Sequence, residues 1–179
     1  MSKSGFPQTF PVIETPRLIL RDISQEDAAE IFKNFSDPDI AKWFFEEPFT
    51  EIGQVDQIIA EFQGDFLRKT GLTWAMILKE NSTCIGTCGY GDVEINNRGE
   101  IGFDLAKEHW GKGLMGEGLT SIIEYGFKAL DLTSVEAHTY SNNSRAIALL
   151  KKLGFHLDDT NEDSSYFTLS RESWRCPKP

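Results

Sequence analysis

The sequence predicts an α/β domain: a mixed, largely antiparallel central sheet flanked by helices, with elements in the order β-α-α-β-β-β-α-β-α-β-β. Three observations carry this reading. Two helical apolar patterns precede Leu72, three short strand-like runs joined by polar turns follow it, and a glycine-rich turn then opens another helix.

Taken in order, Met1 to Ile13 reads as an arm punctuated by Pro7 and Pro11. Arg17-Leu-Ile-Leu-Arg-Asp-Ile23 is short and rich in branched residues, the texture of a strand. Ser24 stands as an N-cap before Ala28, Ile31, Phe32 and Phe35, whose spacing marks an amphipathic helix ending ahead of Asp37-Pro38. A second helix is expected from about Glu51, with Val55, Ile58, Ile59, Phe62 and Phe66 on one face. Between the two lies the aromatic patch Trp43, Phe44, Phe45 and Phe49, which reads as core packing and, alternatively, as the roof of a ligand pocket.

Leu72 to Leu78, Cys84 to Tyr90 and Glu100 to Leu105 are the three strands of a meander, joined by turns at Lys79 to Ser82 and around Asn96-Asn97-Arg98. A helix from about Leu114 to Leu130 carries Met115, Leu119, Ile122, Ile123, Phe127 and Leu130 on one stripe. Ser134 to Tyr140 is a strand, Asn143 to Leu153 a helix, and Phe155 to Leu157 and Tyr166 to Leu169 are closing strands, with residues 175–179 as a tail. No repeat, low-complexity tract or linker divides the chain, so residues 1–179 are read as a single domain.

Composition narrows the class. With 40% hydrophobic and 12% aromatic residues, the chain can bury one sizeable core. Met1 to Pro11 lacks the apolar stretch of a secretory signal, and no run reaches the ~18 residues of a membrane span, so a cytoplasmic protein is expected. A net charge of −10 repels phosphate backbones and acidic bilayers, which argues against nucleic acid and membrane partners. The pairs Glu46-Glu47, Asp158-Asp159 and Glu162-Asp163 read as solvated faces, with attraction of a cationic ligand as the functional alternative. Cys84, Cys88 and Cys176 are odd in number and hold no C-x-x-C pair; they read as buried or idle thiols. His109, His138 and His156 show no ligand spacing, so no metal is expected and each is read as structural.

Gly111-Lys-Gly113-Leu-Met-Gly116 fits G-x-G-x-x-G and alone would suggest a dinucleotide fold. The polar interval Ala106-Lys-Glu-His-Trp110, the position of Glu136 inside its strand and the preceding antiparallel meander argue against that. What remains is general physics: glycines let backbone approach an anion, and N–H groups at a helix start point at it. Lys112 adds a cation. The loop reads as a diphosphate site, or as a plain strand-to-helix turn, and the glycines do not select the ligand.

The longer pattern is more specific. Glu100-Ile-Gly-Phe-Asp-Leu105, Trp110-Gly-Lys-Gly-Leu-Met-Gly-Glu117 and Asn143-Ser-Arg-Ala-Ile-Ala-Leu-Leu-Lys-Lys-Leu-Gly-Phe155 together resemble the GNAT superfamily of acetyl-CoA-dependent N-acetyltransferases. Thr15-Pro-Arg-Leu-Ile-Leu-Arg21 and Tyr166-Phe-Thr-Leu-Ser-Arg-Glu-Ser-Trp174 are similar to its RimJ/RimL branch, which includes ribosomal-protein N-terminal acetyltransferases. The resemblance runs from about residue 14 to 174. It implies a GNAT-like fold and acetyl transfer from acetyl-CoA, as co-substrate, to a primary amine. The acceptor it implies is a protein N-terminus such as that of a ribosomal protein, or else a polyamine or amino sugar. A non-catalytic CoA-binding sensor is the alternative from another class, and a homodimer is left open.

The same resemblance places Lys112, Gly113, Leu114, Met115 and Gly116 around the CoA pyrophosphate, with Trp110 where Gln or Arg is general and Met115 where a small residue is general. Asp104 and Leu105 are carried over as backbone partners of pantetheine, in a gap between two diverging strands. Asn143 matches an asparagine at a helix start, as cap, as contact to cofactor or catalytic water, or as both. Leu150 and Ala146 stand where many members have a tyrosine and a serine, which leaves the proton for the CoA thiolate to water or Tyr140.

Acetyl transfer needs a neutral amine, yet a lysine-like amine has a pKa of ~10 and a protein N-terminus ~8, so a base must accept a proton. Glu100 is the candidate base; its other reading is a surface carboxylate. A backbone N–H near Leu105 is expected to stabilise the oxyanion, and alignment of amine and thioester supplies further acceleration.

Overall fold

The computed structural model describes residues 5–93 and 97–175; Asn96 of the expected turn and Cys176 lie outside the described residues. Within them one sheet is built from β1 (Ile13–Glu14), β2 (Leu18–Asp22), β3 (Leu72–Leu78), β4 (Thr83–Val93), β5 (Arg98–Leu105), β6 (Ser134–Tyr140), β7 (His156–Thr160) and β8 (Ser164–Ser170). The order across it is β1-β2-β3-β4-β5-β6-β8-β7. Only β5 and β6 run parallel, so the sheet is mixed and largely antiparallel, as its sequence predicts. The helices are α1 (Ala28–Phe35), α2 (Pro38–Ala41), α3 (Gly53–Arg68), α4 (Leu114–Lys128) and α5 (Ser144–Lys152).

Two elements escape the periodicity argument. β1 is a two-residue strand, too short to alternate. At Asp37-Pro38 the expected stop restarts a helix: Asp37 Oδ1 accepts from the Asp39 N–H at 2.9 Å, and Pro38 takes the first helical position, where its missing N–H costs nothing.

Alternation along the strands sends side chains to two cores. Leu18, Leu20, Trp74, Met76, Cys88, Tyr90 and Val135 pack with Leu119, Ile122 and Ile123 of α4 and Leu150 of α5. Ala75, Ile77 and Cys84 face the other way, onto Ile31, Phe35, Val55 and Ile59 of α1 and α3. Both cysteines are thus buried, and burial pushes the Cys84 thiol up to about 12 and that of Cys88 upward as well. Close approach of α4 requires Gly126, where a Cβ would meet the Tyr90 hydroxyl oxygen at 2.1 Å. That hydroxyl donates to the Ile122 carbonyl at 2.9 Å, so the contact is a tether between sheet and helix.

The feature that positions the site is a fork. β5 and β6 pair at Arg98–Ser134, Gly99–Val135 and Glu100–Glu136. Beyond these, β5 keeps its pairing with β4 to Leu105 while β6 follows β8 to Tyr140, so the parallel strands part.

Candidate active site

Backbone at the fork faces the gap by alternation. The Ala106 N–H donates to the Ile85 carbonyl at 2.8 Å, on the β4 side. Successive residues of a strand turn their peptide groups to opposite edges, so Phe103 and Leu105 turn theirs towards β6, beyond the last β5–β6 pair.

The glycine turn delivers a helix start to the same place. Gly111 (φ 73°) and Gly113 (φ 76°) are in the left-handed region, where a Cβ would be strained, and Gly113 precedes α4 directly. The first turn closes with Glu117 N–H to Gly113 O at 3.0 Å, so the N–H groups of Leu114, Met115 and Gly116 have no partner within the helix. Such a terminus holds an anion through its free donors and dipole.

A clasp from the other end of the chain fixes that turn. Glu117 accepts from the Thr15 hydroxyl at 2.6 Å, the Arg17 N–H at 2.8 Å and Arg17 Nε at 2.7 Å. Arg17 Nη1 in turn donates to the Lys112 carbonyl at 2.8 Å. Burial would raise the Glu117 carboxyl pKa, but Thr15 and Arg17 together hold it below the usual range, so it stays an anion.

Two cavities meet at the fork. The larger, about 470 Å³, runs from Gly111, Gly113, Leu114, Met115 and Gly116 along Phe103, Asp104 and Leu105. The smaller, about 270 Å³, is lined by Gly102, His138, Tyr140 and Ser164 among others. Trp43, Phe44, Phe103, Asn143 and Ala146 line both, so the two cavities adjoin at the gap.

Most of the residues expected at the site line these cavities. Leu114 and Met115 are core side chains, so the large residue in the glycine turn is accommodated inward. Asp104 lines the larger cavity, but by the same alternation its N–H and carbonyl point to β4, and its carboxylate accepts from the Thr87 hydroxyl and N–H and from Asn34 Nδ2. Burial pushes that carboxyl up to about 6 against those hydrogen bonds. Asn143 caps α5, its Oδ1 accepting from the Ala146 N–H at 3.3 Å, and also lines both cavities.

Two expected residues stand apart. Lys112 is exposed and absent from the described cavity lining. In its stead, Arg145 enters the larger cavity with its guanidinium 4.1 Å above the Trp110 ring, and the Trp110 Nε1–H donates to the Leu105 carbonyl at 2.8 Å. Glu100 is likewise absent from the described lining; its carboxylate binds His138 Nδ1 at 3.0 Å, and His138 is the one that lines the smaller cavity. Arg145 carried a usable signal in the sequence, a cation in the first turn of a helix where the dipole disfavours it. His138 did not, since its link to Glu100 depends on a parallel pairing that periodicity cannot reveal. In the aromatic patch Phe44, Phe45 and Phe49 all pack on Phe35, Phe44 lines the cavities as well, and Trp43 lines them and meets Tyr140 at 5.9 Å. Among the described residues no cluster of His, Cys, Asp and Glu could hold a metal ion, and no helix is long and apolar enough to cross a membrane.

A forked mixed sheet with a glycine turn and helix start at its gap is the architecture of an acetyltransferase. The family model for the acetyltransferase (GNAT) domain matches residues 17–156, and the chain belongs to that family. It is 36% identical over 150 residues to the uncharacterized N-acetyltransferase p20 of Bacillus licheniformis, covering 83% of this chain and 84% of that protein. To YoaA of Bacillus subtilis (strain 168), also an uncharacterized N-acetyltransferase, it is 34% identical over 147 residues, covering 82% and 83%. Among solved structures, the ribosomal L7/L12 alpha-N-protein acetyltransferase RimL matches with a TM-score of 0.79 at 14% identity, over 89% of this chain and 94% of that one. The microcin C7 self-immunity acetyltransferase MccE, in complex with acetyl-CoA and AMP, matches with a TM-score of 0.77 at 17% identity, over 87% and 93%. At these identities the two structures speak for the fold alone.

Proposed function

We propose that this N-acetyltransferase takes its acetyl group from acetyl-CoA and passes it to a primary amine. The observation that carries this is the adjacency of two cavities at the fork, one at a helix start fit for a diphosphate and the other with an aromatic wall. The free N–H groups of Leu114, Met115 and Gly116 and the Arg145 guanidinium suit a pyrophosphate, and the gap-facing N–H and carbonyl of Phe103 with the N–H of Leu105 suit the amides of pantetheine. Bound acetyl-CoA would supply an activated thioester. The chain would supply orientation, a backbone N–H of β5 for charge developing on the carbonyl oxygen, and exclusion of water by Trp43 and Phe44. This reading treats residues 1–179 as one unit working in the cytoplasm.

A free protein N-terminus is the acceptor read first, by analogy with RimL, which shares the fold. A small polyamine or amino sugar is the second reading. Trp43, Phe44 and Tyr140 favour it, because they line a wall that a cationic amine approaches by cation–π attraction. Incubation with acetyl-CoA and, separately, a peptide with a free N-terminus, a polyamine and an amino sugar tests both. Release of free CoA with one class identifies the acceptor. Acetyl-CoA binding without release in any arm would instead support a sensor.

A further inference from the structure

An amine must shed a proton as it attacks a thioester, and the group placed to receive it is not Glu100 itself. Glu100 Oε1 lies 3.0 Å from His138 Nδ1. A carboxylate only accepts, so the shared proton sits on Nδ1, and neutral His138 keeps its lone pair on Nε2. His138 lines the smaller cavity, and its ring stacks on Tyr166 at a centroid distance of 4.6 Å, which fixes its plane. Extending the β5–β6 register two residues past Glu100 and Glu136 sets Gly102 across the gap from His138. Gly102 lines the same cavity, and a Cβ there would meet nothing within 4 Å, so the space beside the ring is open.

Resting on the acetyl-transfer reading above, we infer that His138 is the base of this site and Glu100 its positioning residue. His138 Nε2 takes the proton of the amine while the amine nitrogen bonds to the acetyl carbon. The carbon–sulfur bond breaks with its electron pair going to the CoA sulfur, and the imidazolium formed is held by the Glu100 carboxylate. The proton then passes to solvent or to the thiolate. The other charged or titratable groups around the ring are Glu136 of the same strand, bound to Arg98 at 2.8 Å, Tyr140, and Tyr166 of β8. Asp158 of β7 acts on Tyr166, and Lys42 lies over Trp43 on the facing loop.

The test is the pH profile of kcat/KM for wild type, H138A, H138Q and E100Q, with acetyl-CoA and whichever amine of the three-class panel wild type acetylates. H138A and H138Q should lose about 100-fold in kcat while KM for acetyl-CoA and its thermal stabilisation stay unchanged. Added imidazole should restore part of the H138A rate. E100Q should lower kcat about 10-fold and alter the shape of the pH profile while KM for acetyl-CoA stays unchanged. Turnover by wild type together with an unchanged rate and profile in H138A would overturn this inference alone. A wild-type protein that releases no CoA with any amine would overturn the transfer reading, and this inference with it.

Discussion

At the residue scale, Trp110 makes two contacts that shape the site. Its indole N–H ties the end of β5 at Leu105, and its ring is the floor on which Arg145 lies. Arg145 is thereby pre-ordered towards the larger cavity, whereas Lys112, the cation suggested by the glycine turn, is left in solvent. R145A should raise KM for acetyl-CoA about 10-fold with kcat nearly unchanged, and K112A should change it by no more than about 2-fold, by initial-rate kinetics. A larger effect of K112A would restore the reading drawn from the sequence. Asp104 bears on stability rather than on ligand. Its folded pKa is raised to about 6, so its contribution is fully present below the unfolded carboxylate value of ~4 and is lost as pH rises through about 6. The stability of wild type relative to D104N should therefore fall by about 2–3 kcal/mol from pH ~4 to ~7 in denaturant titrations. A difference that stays flat would place the carboxyl outside that environment.

At the scale of elements, α1, α3, α4 and α5 were legible because each repeats its apolar residues at helical spacing. α2 and β1 were not, being shorter than one period of any pattern. The parallel pairing of β5 with β6 is a tertiary fact: both strands alternate in the same way whichever neighbour they have, and the resemblance, not the alternation, led to the fork. The Thr15–Arg17–Glu117 clasp was hidden for a related reason, since its partners lie about a hundred residues apart. It predicts that E117A lowers unfolding stability by about 2 kcal/mol and also weakens acetyl-CoA binding, because the turn before α4 loses its anchor. E124A removes only an exposed pair with Lys128 and should cost less than about 0.5 kcal/mol. Equal losses in the two variants, by chemical denaturation, would reduce the clasp to an ordinary surface contact.

For the molecule as a whole, the sheet separates two tasks. In the proposed reading α4 and α5 build the donor side on one face of the sheet, and the segment between α2 and α3 brings Trp43 and Phe44 to both cavities at the fork. The glycine turn could not distinguish a dinucleotide from acetyl-CoA, because the physics of a helix start is common to both; the fork is what only one of them needs. Thermal unfolding in the presence of acetyl-CoA or NAD tests this claim most directly. At about a hundred times its Kd, acetyl-CoA should stabilise the fold by about 2.7 kcal/mol, a rise of roughly 5–10 °C in Tm for a chain of this size, and NAD should leave Tm unchanged. A rise with NAD and none with acetyl-CoA would contradict it.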